Sequence, residues 1–220
     1  MHYLKFLEAL HEIINPSVYF EIGIRRGASL ALARKMAIGV DPSYQIEHQL
    51  TEDNHLFRQK SDDFFSASTL RDLLGAKRNI DLAFIDGWHN FEFALRDFMH
   101  TERHSLKGSV IVFDDVRPRT ELEAVRVPHG GAWTGDIWKV GVCLKKYRPD
   151  LHLTFVGTQP TGLLMVRNLN PKSKVLLDSY DAIESEFLDE AYPLMPPKDY
   201  LDAFVLPSEA LEGLKASFKK

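Results

Sequence analysis

A single cysteine, Cys143, stands in 220 residues. One thiol cannot close an internal disulfide, so the chain must be held by a buried core and suits a reducing cytoplasm. Its length is enough for one domain with a full core, or one domain and a tail. Long apolar runs are missing too. No stretch reaches the ~18 residues of a spanning helix, and residues 1–15 carry Lys5, Glu8 and Glu12, unlike the apolar centre of a secretory signal. The expectation is a cytoplasmic chain with no membrane partner. Basic clusters are also absent: 27 Lys and Arg against 31 Asp and Glu leave a net charge of −4. A nucleic-acid partner therefore has no electrostatic support. The G-x-G-x-x-G fingerprint is lacking, which counts against a nicotinamide oxidoreductase. There is no internal repeat or low-complexity block.

What is present is an alternation. Leu4, Leu7, Leu10 and Ile14 mark one face of a first helix, stopped by Asn15-Pro16. Apolar runs then predict strands over 17–23, 37–41, 55–59, 80–86 and 109–115. Helical patterns fall between them, over 28–36, from Ser68 to Leu74, and from a cap at Asn90 onward. A further helix near 137–147 precedes a hairpin, LTFVGT and LLMVRN around Gln-Pro-Thr-Gly. Strands alternating with helices, each strand nearly continuous in apolar residues, predict a parallel sheet covered on both faces. The fold class expected is therefore α/β: a Rossmann-like, doubly wound, mostly parallel seven-stranded sheet, with a terminal antiparallel hairpin at one edge. Residues 1–168 form that domain with its amino-terminal helix. Residues 169–220 read as a helical extension packed on it, with helix over 175–188, prolines at 193, 196, 197 and 207, and a last helix capped by Ser208.

The chemistry lies at the strand ends. The first strand ends with Glu21, the second with Asp41, the fourth with Asp86, and the fifth with Asp114 and Asp115. Ligands of open α/β sheets sit beyond the carboxyl ends of the strands, so all these acids would face one crevice. Any one of them could merely cap a helix. As a set they repel one another unless a cation or a proton intervenes. Glu21-Ile-Gly23-Ile-Arg-Arg-Gly27 is a strand, a turn and a helix start, where glycines admit a ligand close to the backbone. Asp41 occupies the usual place of a carboxylate that binds ribose hydroxyls. His89, three residues after Asp86, either takes a proton as general base or braces the turn beside Trp88. The long connection 116–136 reads as a lid or as a surface loop.

The segments EIGIRRGAS, IGVDPS, FIDGWHNFEFALRDF and GSVIVFDDV, in this order and spacing, resemble the class I S-adenosylmethionine-dependent methyltransferases. The similarity is closest to the metal-dependent O-methyltransferases of small molecules, including those acting on macrolide sugars. GAWTGDIWKV and TQPTGLLMV resemble segments of the same group, and the likeness covers residues 15–170. Arg25 departs from a position that is often Gly in the superfamily. The resemblance implies a cofactor site of S-adenosylmethionine at Glu21, Gly23, Gly27, Ser29, Asp41, Asp62 and Asp86. It implies a divalent cation, expected to be Mg²⁺, on Asp86, Asp114 and Asp115. Asp86 and His89 would be the catalytic pair, acting on the hydroxyl of a small acceptor. The alternative is an accessory binding protein of the same fold, as in the cephalosporin hydroxylase group. Association with further copies of the chain is one arrangement the sequence permits.

Overall fold

The computed structural model describes residues 1–67, 69–76 and 78–218. The elements are α1 (Tyr3–Ile14), β1 (Val18–Ile22), β2 (Met36–Val40), β3 (Asn54–Phe57), α2 (Ser61–Ser66), α3 (Thr69–Leu74), β4 (Ile80–Ile85), α4 (Phe91–Arg103) and β5 (Ser105–Phe113). There follow α5 (Glu121–Ala124), α6 (Trp138–Tyr147), β6 (His152–Val156), β7 (Leu163–Arg167), α7 (Val175–Asp178), α8 (Tyr180–Phe187), α9 (Lys198–Asp202) and α10 (Pro207–Ser217). The seven strands form one sheet in the order β3-β2-β1-β4-β5-β7-β6. Pairings among β1 to β5 are parallel, while β7 runs antiparallel to both β5 and β6. The antiparallel strand is thus inserted between two others rather than placed at the edge, which is β6.

The continuous apolar runs serve two cores at once, because successive side chains of a strand point to opposite faces. Val18, Phe20 and Ile22 pack with α4 and α6 residues such as Leu95, Phe98 and Leu144. Tyr19, Leu82, Phe84 and Val112 instead meet Phe6, Leu7 and Leu10 of α1, with Ala210 and Leu214 of α10 beside them. Glu21, Asp86 and Asp114 continue the alternation of that second set.

Several local expectations give way to longer-range constraints. The helix expected over 28–36 is a single 3₁₀ turn, Leu30–Leu32, after which Ala33 is extended. The helix start expected at Ser68 lies outside the described residues. The third strand stops at Phe57, two residues before its expected end. The helix expected over 175–188 is broken at Ser179 into α7 and α8. The last helix starts with Pro207 at its first turn and Leu206 at its cap, not Ser208; the fixed φ of proline suits that place.

Residues beyond β7 lie against the sheet domain. Leu176, Ile183, Phe187 and Tyr200 enter its core. Lys139 Nζ donates to the Phe187 carbonyl at 2.7 Å, and the Tyr200 hydroxyl donates to the Val116 carbonyl at 2.9 Å. A buried fork of Arg148 on Glu102, at 2.7 and 2.9 Å, ties the end of α6 to the end of α4, and Asn170 N–H donates to the same carboxylate at 2.9 Å. Among the described residues, no helix is long and apolar enough to cross a membrane.

Candidate active site

The sheet order reverses between β1 and β4, the place where open α/β sheets bind their ligands. The parallel ladder runs one residue past each strand there. Gly23 N–H donates to Val40, Asp41 N–H to Phe57, Asp86 N–H to Ile22 and Asp114 N–H to Ile85, all at 2.8–3.1 Å. The rim residues are therefore held in register by the sheet itself. Gly23 has φ +89°, and a Cβ there would lie 1.7 Å from the Asp86 carbonyl oxygen. No other residue fits where the β1 and β4 loops touch.

Glu21 lies inside β1 and is sealed from solvent. Its carboxyl accepts the Tyr19 and Ser29 hydroxyls, each at 2.7 Å. Burial pushes its pKa up to about 8 despite those two bonds, and Asp86 and Asp41 add to the rise. Asp41, just past β2, accepts Arg25 N–H at 2.8 Å on one oxygen and Ser43 N–H at 2.6 Å on the other. Arg25 takes φ 49°, a left-handed backbone that favours glycine. Gly27, at φ +82°, lies against Ile46. Asp62, in the first turn of α2, is gripped by the Arg96 fork at 2.8 and 3.0 Å. That bond holds its pKa below the usual carboxylate range. In this structure Asp62 braces α2 against α4.

The geometry brings together Asp86, His89 and Asp115. One ligand atom from each lies within 4.8 Å of the others. His89 Nε2 is 3.4 Å from Asp86 Oδ1 and 3.3 Å from Asp115 Oδ2. Its Nδ1 is 3.0 Å from the Trp133 carbonyl. A carbonyl can only accept, so Nδ1 carries a proton and Nε2 is the atom presented to the carboxylates. Burial opposes the charged ring, but the Asp86 bond and the charges of Asp115 and Asp86 outweigh it, and the pKa rises to about 9. Asp115 adopts φ 58° beyond the end of β5. Its pKa is pushed up to about 6, mainly by burial, with His89 pulling the other way. Asp114 stands outside the three-residue group. It accepts Asp115 N–H at 2.8 Å and a bond from Thr161, and burial with the Asp86 and Asp115 charges raises its pKa well above the ordinary value.

Three contributions escape sequence reasoning. Tyr3, the first residue of α1, stacks on Phe84 at 6.2 Å. Burial, then the charges of Asp86, Asp114 and Glu21, push its hydroxyl up to about 12. Asn90 occupies the cap position of α4, yet its side chain makes no cap bond. Asp136 supplies it instead, accepting Phe91 N–H at 2.8 Å. Asp136 also pairs with Arg126 at 2.7 Å and Lys139 at 3.1 Å. The third contribution is Trp133, whose ring lies on that of His89 at 4.9 Å while Trp88 meets it edge-on at 5.5 Å. The connection 116–136 is fastened along its length, through Arg117 N–H on Thr161, Arg119 on Glu123, and Thr134 and Gly135 N–H on the Glu123 carbonyl.

The run from Phe20 to Val116 matches the family model described as a methyltransferase domain. None of the curated proteins matches this chain. Solved structures of methyltransferases share this fold. The SAH-bound methyltransferase PaMTH1 of Podospora anserina aligns with a TM-score of 0.57 at 14% identity, over 76% of this chain and 78% of that one. The O-methyltransferase of Bacillus cereus, in complex with SAH, aligns at 0.54 and 17%, over 74% and 79%. The O-methyltransferase TomG of Streptomyces achromogenes, involved in tomaymycin synthesis and in complex with SAM, aligns at 0.53 and 17%, over 76% and 80%. The matched run thus takes in the end of β1, all of β2 to β5 and every acid of the rim, while the residues holding His89 from the other side, 133–136, lie beyond it.

Proposed function

We propose that this chain transfers a methyl group from S-adenosylmethionine to a hydroxyl of a small molecule, a sugar hydroxyl being one acceptor class to test. The observation that carries the reading is His89 Nε2, held 3.4 and 3.3 Å from two strand-end carboxylates beside the Gly23 turn. The acceptor oxygen attacks the methyl carbon in line as the carbon–sulfur bond breaks, and the sulfonium leaves as a neutral thioether. The hydroxyl proton passes to Nε2. The chain's part is to align the two reactants and receive that proton. Gly23, Gly27 and Asp41 line the cofactor side, and Asp41 keeps lone pairs for the ribose hydroxyls.

The donor set fits a divalent cation. Three ligand atoms within 4.8 Å of one another can meet a common ion, and burial, with the neighbouring Asp86 charge added, raises the pKa values of Asp114 and Asp115 where no cation offsets it. Asp86 and Asp115 would hold it, with His89 Nε2 in reach and Asp114 behind. When bound, such a cation acidifies and orients a hydroxyl. Carboxylates alone would suit Mg²⁺, whereas an imidazole in the set suits Mn²⁺ or another transition metal better.

The test is turnover. The chain is incubated with S-adenosylmethionine and a panel of hydroxylated metabolites, and thioether product is measured with chelator, Mg²⁺ and Mn²⁺ in turn. Product that needs a cation supports the whole reading. Full turnover in chelator removes the cation and leaves the methyl transfer. S-adenosylmethionine that does not bind leaves a non-catalytic protein of this fold. Asp41→Ala is expected to weaken cofactor binding in calorimetry by ~1.5–3 kcal/mol, the range of a charge-assisted bond; unchanged affinity takes Asp41 out of the site.

A further inference from the structure

We infer that residues 133–136 are a positioning clamp for His89, with Gly135 at its centre. The inference rests on His89 Nε2 being the working atom of the proposed reaction. Four contacts from this one segment converge on one residue. The Trp133 carbonyl takes the Nδ1 proton at 3.0 Å. The Trp133 indole lies on the imidazole at 4.9 Å between centroids and 25° between planes. Gly135, at φ +58°, presses its α-carbon against the His89 backbone, so that a Cβ there would lie 1.6 Å from the His89 oxygen. Asp136 N–H donates to that same oxygen at 3.2 Å.

Each contact removes a different freedom. The carbonyl sets the tautomer and the direction of the Nδ1–Nε2 axis. The indole face sets the ring plane. Gly135 and Asp136 fix the backbone from which the side chain starts. The segment is itself held: Thr134 and Gly135 N–H donate to the Glu123 carbonyl at 2.9 and 3.0 Å, and Trp133 Nε1 donates to the Val125 carbonyl at 2.6 Å. The Asp136 carboxylate closes the frame through Phe91 N–H and Arg126. A bracket that served only the turn would have no need to hold the ring. Here the backbone and the ring are both fixed, and the free nitrogen is left facing Asp86 and Asp115.

Gly135→Ala and Trp133→Leu in the full chain test the clamp. The first drives a methyl group into the His89 carbonyl at a left-handed position. The second keeps the carbonyl but removes the indole face. Folding is followed by thermal melting, cofactor affinity by calorimetry, and the ring by nitrogen-15 NMR at high pH, where the neutral tautomer reads directly. Gly135→Ala is expected to lower kcat by ~10²-fold, the scale of a 1 Å misplacement of a reacting group, with cofactor affinity within about threefold. The His89 signal should move from the Nδ1–H form towards a mixture. Trp133→Leu should do the same to a smaller degree, and it decides the matter if Gly135→Ala does not fold. An unchanged ring signal in a folded variant overturns the clamp, as does a displaced ring with unchanged kcat. If the wild-type chain methylates nothing, the proposed reaction fails, while the ring signal still reports on the clamp.

Discussion

His89→Ala is expected to lower the turnover number by ~10²–10⁴-fold, the usual contribution of a positioned general base. Cofactor binding should persist, because Gly23 and Asp41 are set by the sheet ladder and Gly27 by its turn on Ile24, not by the imidazole. The loss should fall on kcat more than on KM. The activity of the wild type should also show an acidic limb, because the proton must leave Nε2 before the ring can accept another. In the free protein Asp86 and Asp115 hold that proton on the ring up to about pH 9. Once those carboxylates are engaged elsewhere, the charges that keep the ring protonated are gone and the limb moves to lower pH. The variant should lack the limb. Excess Mn²⁺ separates two roles for the same atom. If high Mn²⁺ restores His89→Ala, Nε2 serves as a ligand; if it does not, Nε2 carries the proton. Turnover within threefold of wild type, with the limb intact, would take His89 out of the chemistry altogether.

The strand ends were legible because of how a parallel sheet is buried. Strands covered on both faces read as unbroken apolar runs, so an acid that stops a run marks the rim. This is why Asp41, Asp86, Asp114 and Asp115 could be placed on one edge from the sequence. A hairpin pattern says that β6 and β7 pair. It does not say which of them faces β5, and the structure inserts β7. The segment after Gly27 shows the opposite failure. Its local pattern is helical, yet the chain makes only the turn Leu30–Leu32 before β2 starts at Met36.

At the site, what escaped were bonds that no spacing announces. The α4 cap comes from Asp136, 45 positions beyond Phe91, whereas Asn90, which has the right residue type in the right place, leaves Oδ1 unpartnered. The Trp133 carbonyl that orients His89 is a backbone group, and every residue has one. Tyr3 looked like one more position on the first helix; its proximity to Asp86 and Asp114 follows from α1 lying across the sheet. Asp115, not Asp114, is the member of the pair that reaches His89, and it does so from a left-handed backbone. Adjacent residues of an extended strand would point to opposite faces anyway, so at most one of the pair could share the His89 side without a turn.

The charge on His89 makes stability itself a readout of the site. Its pKa is raised from 6.5 to about 9 in the folded protein. Between those values the folded chain holds a proton that the unfolded chain has released, so stability falls as pH rises. The contribution is complete below pH 6.5 and is gone above about 9. A displacement of that size corresponds to about 3 kcal/mol. Glu21 and Asp97, pushed by burial up to about 8 and about 7, act in the same direction at lower pH. From about pH 8 to 9.5 His89 is joined by Cys143, whose thiol burial pushes from 9.0 up to about 12, so both make stability fall as pH rises. Urea unfolding of the chelator-treated protein should show stability still falling there, and falling less steeply in His89→Gln. Adding Mn²⁺ should reverse the trend, because the deprotonated ring and ionised carboxylates are the forms that bind a cation. Calorimetry in buffers of different ionisation enthalpy should find about one proton released per Mn²⁺ bound near pH 8 in the wild type, and fewer in His89→Gln. A wild-type curve that is flat from pH 6.5 to 9.5 would mean that the ring is neutral in the folded protein, and Asp86 and Asp115 would then have to share a proton between themselves.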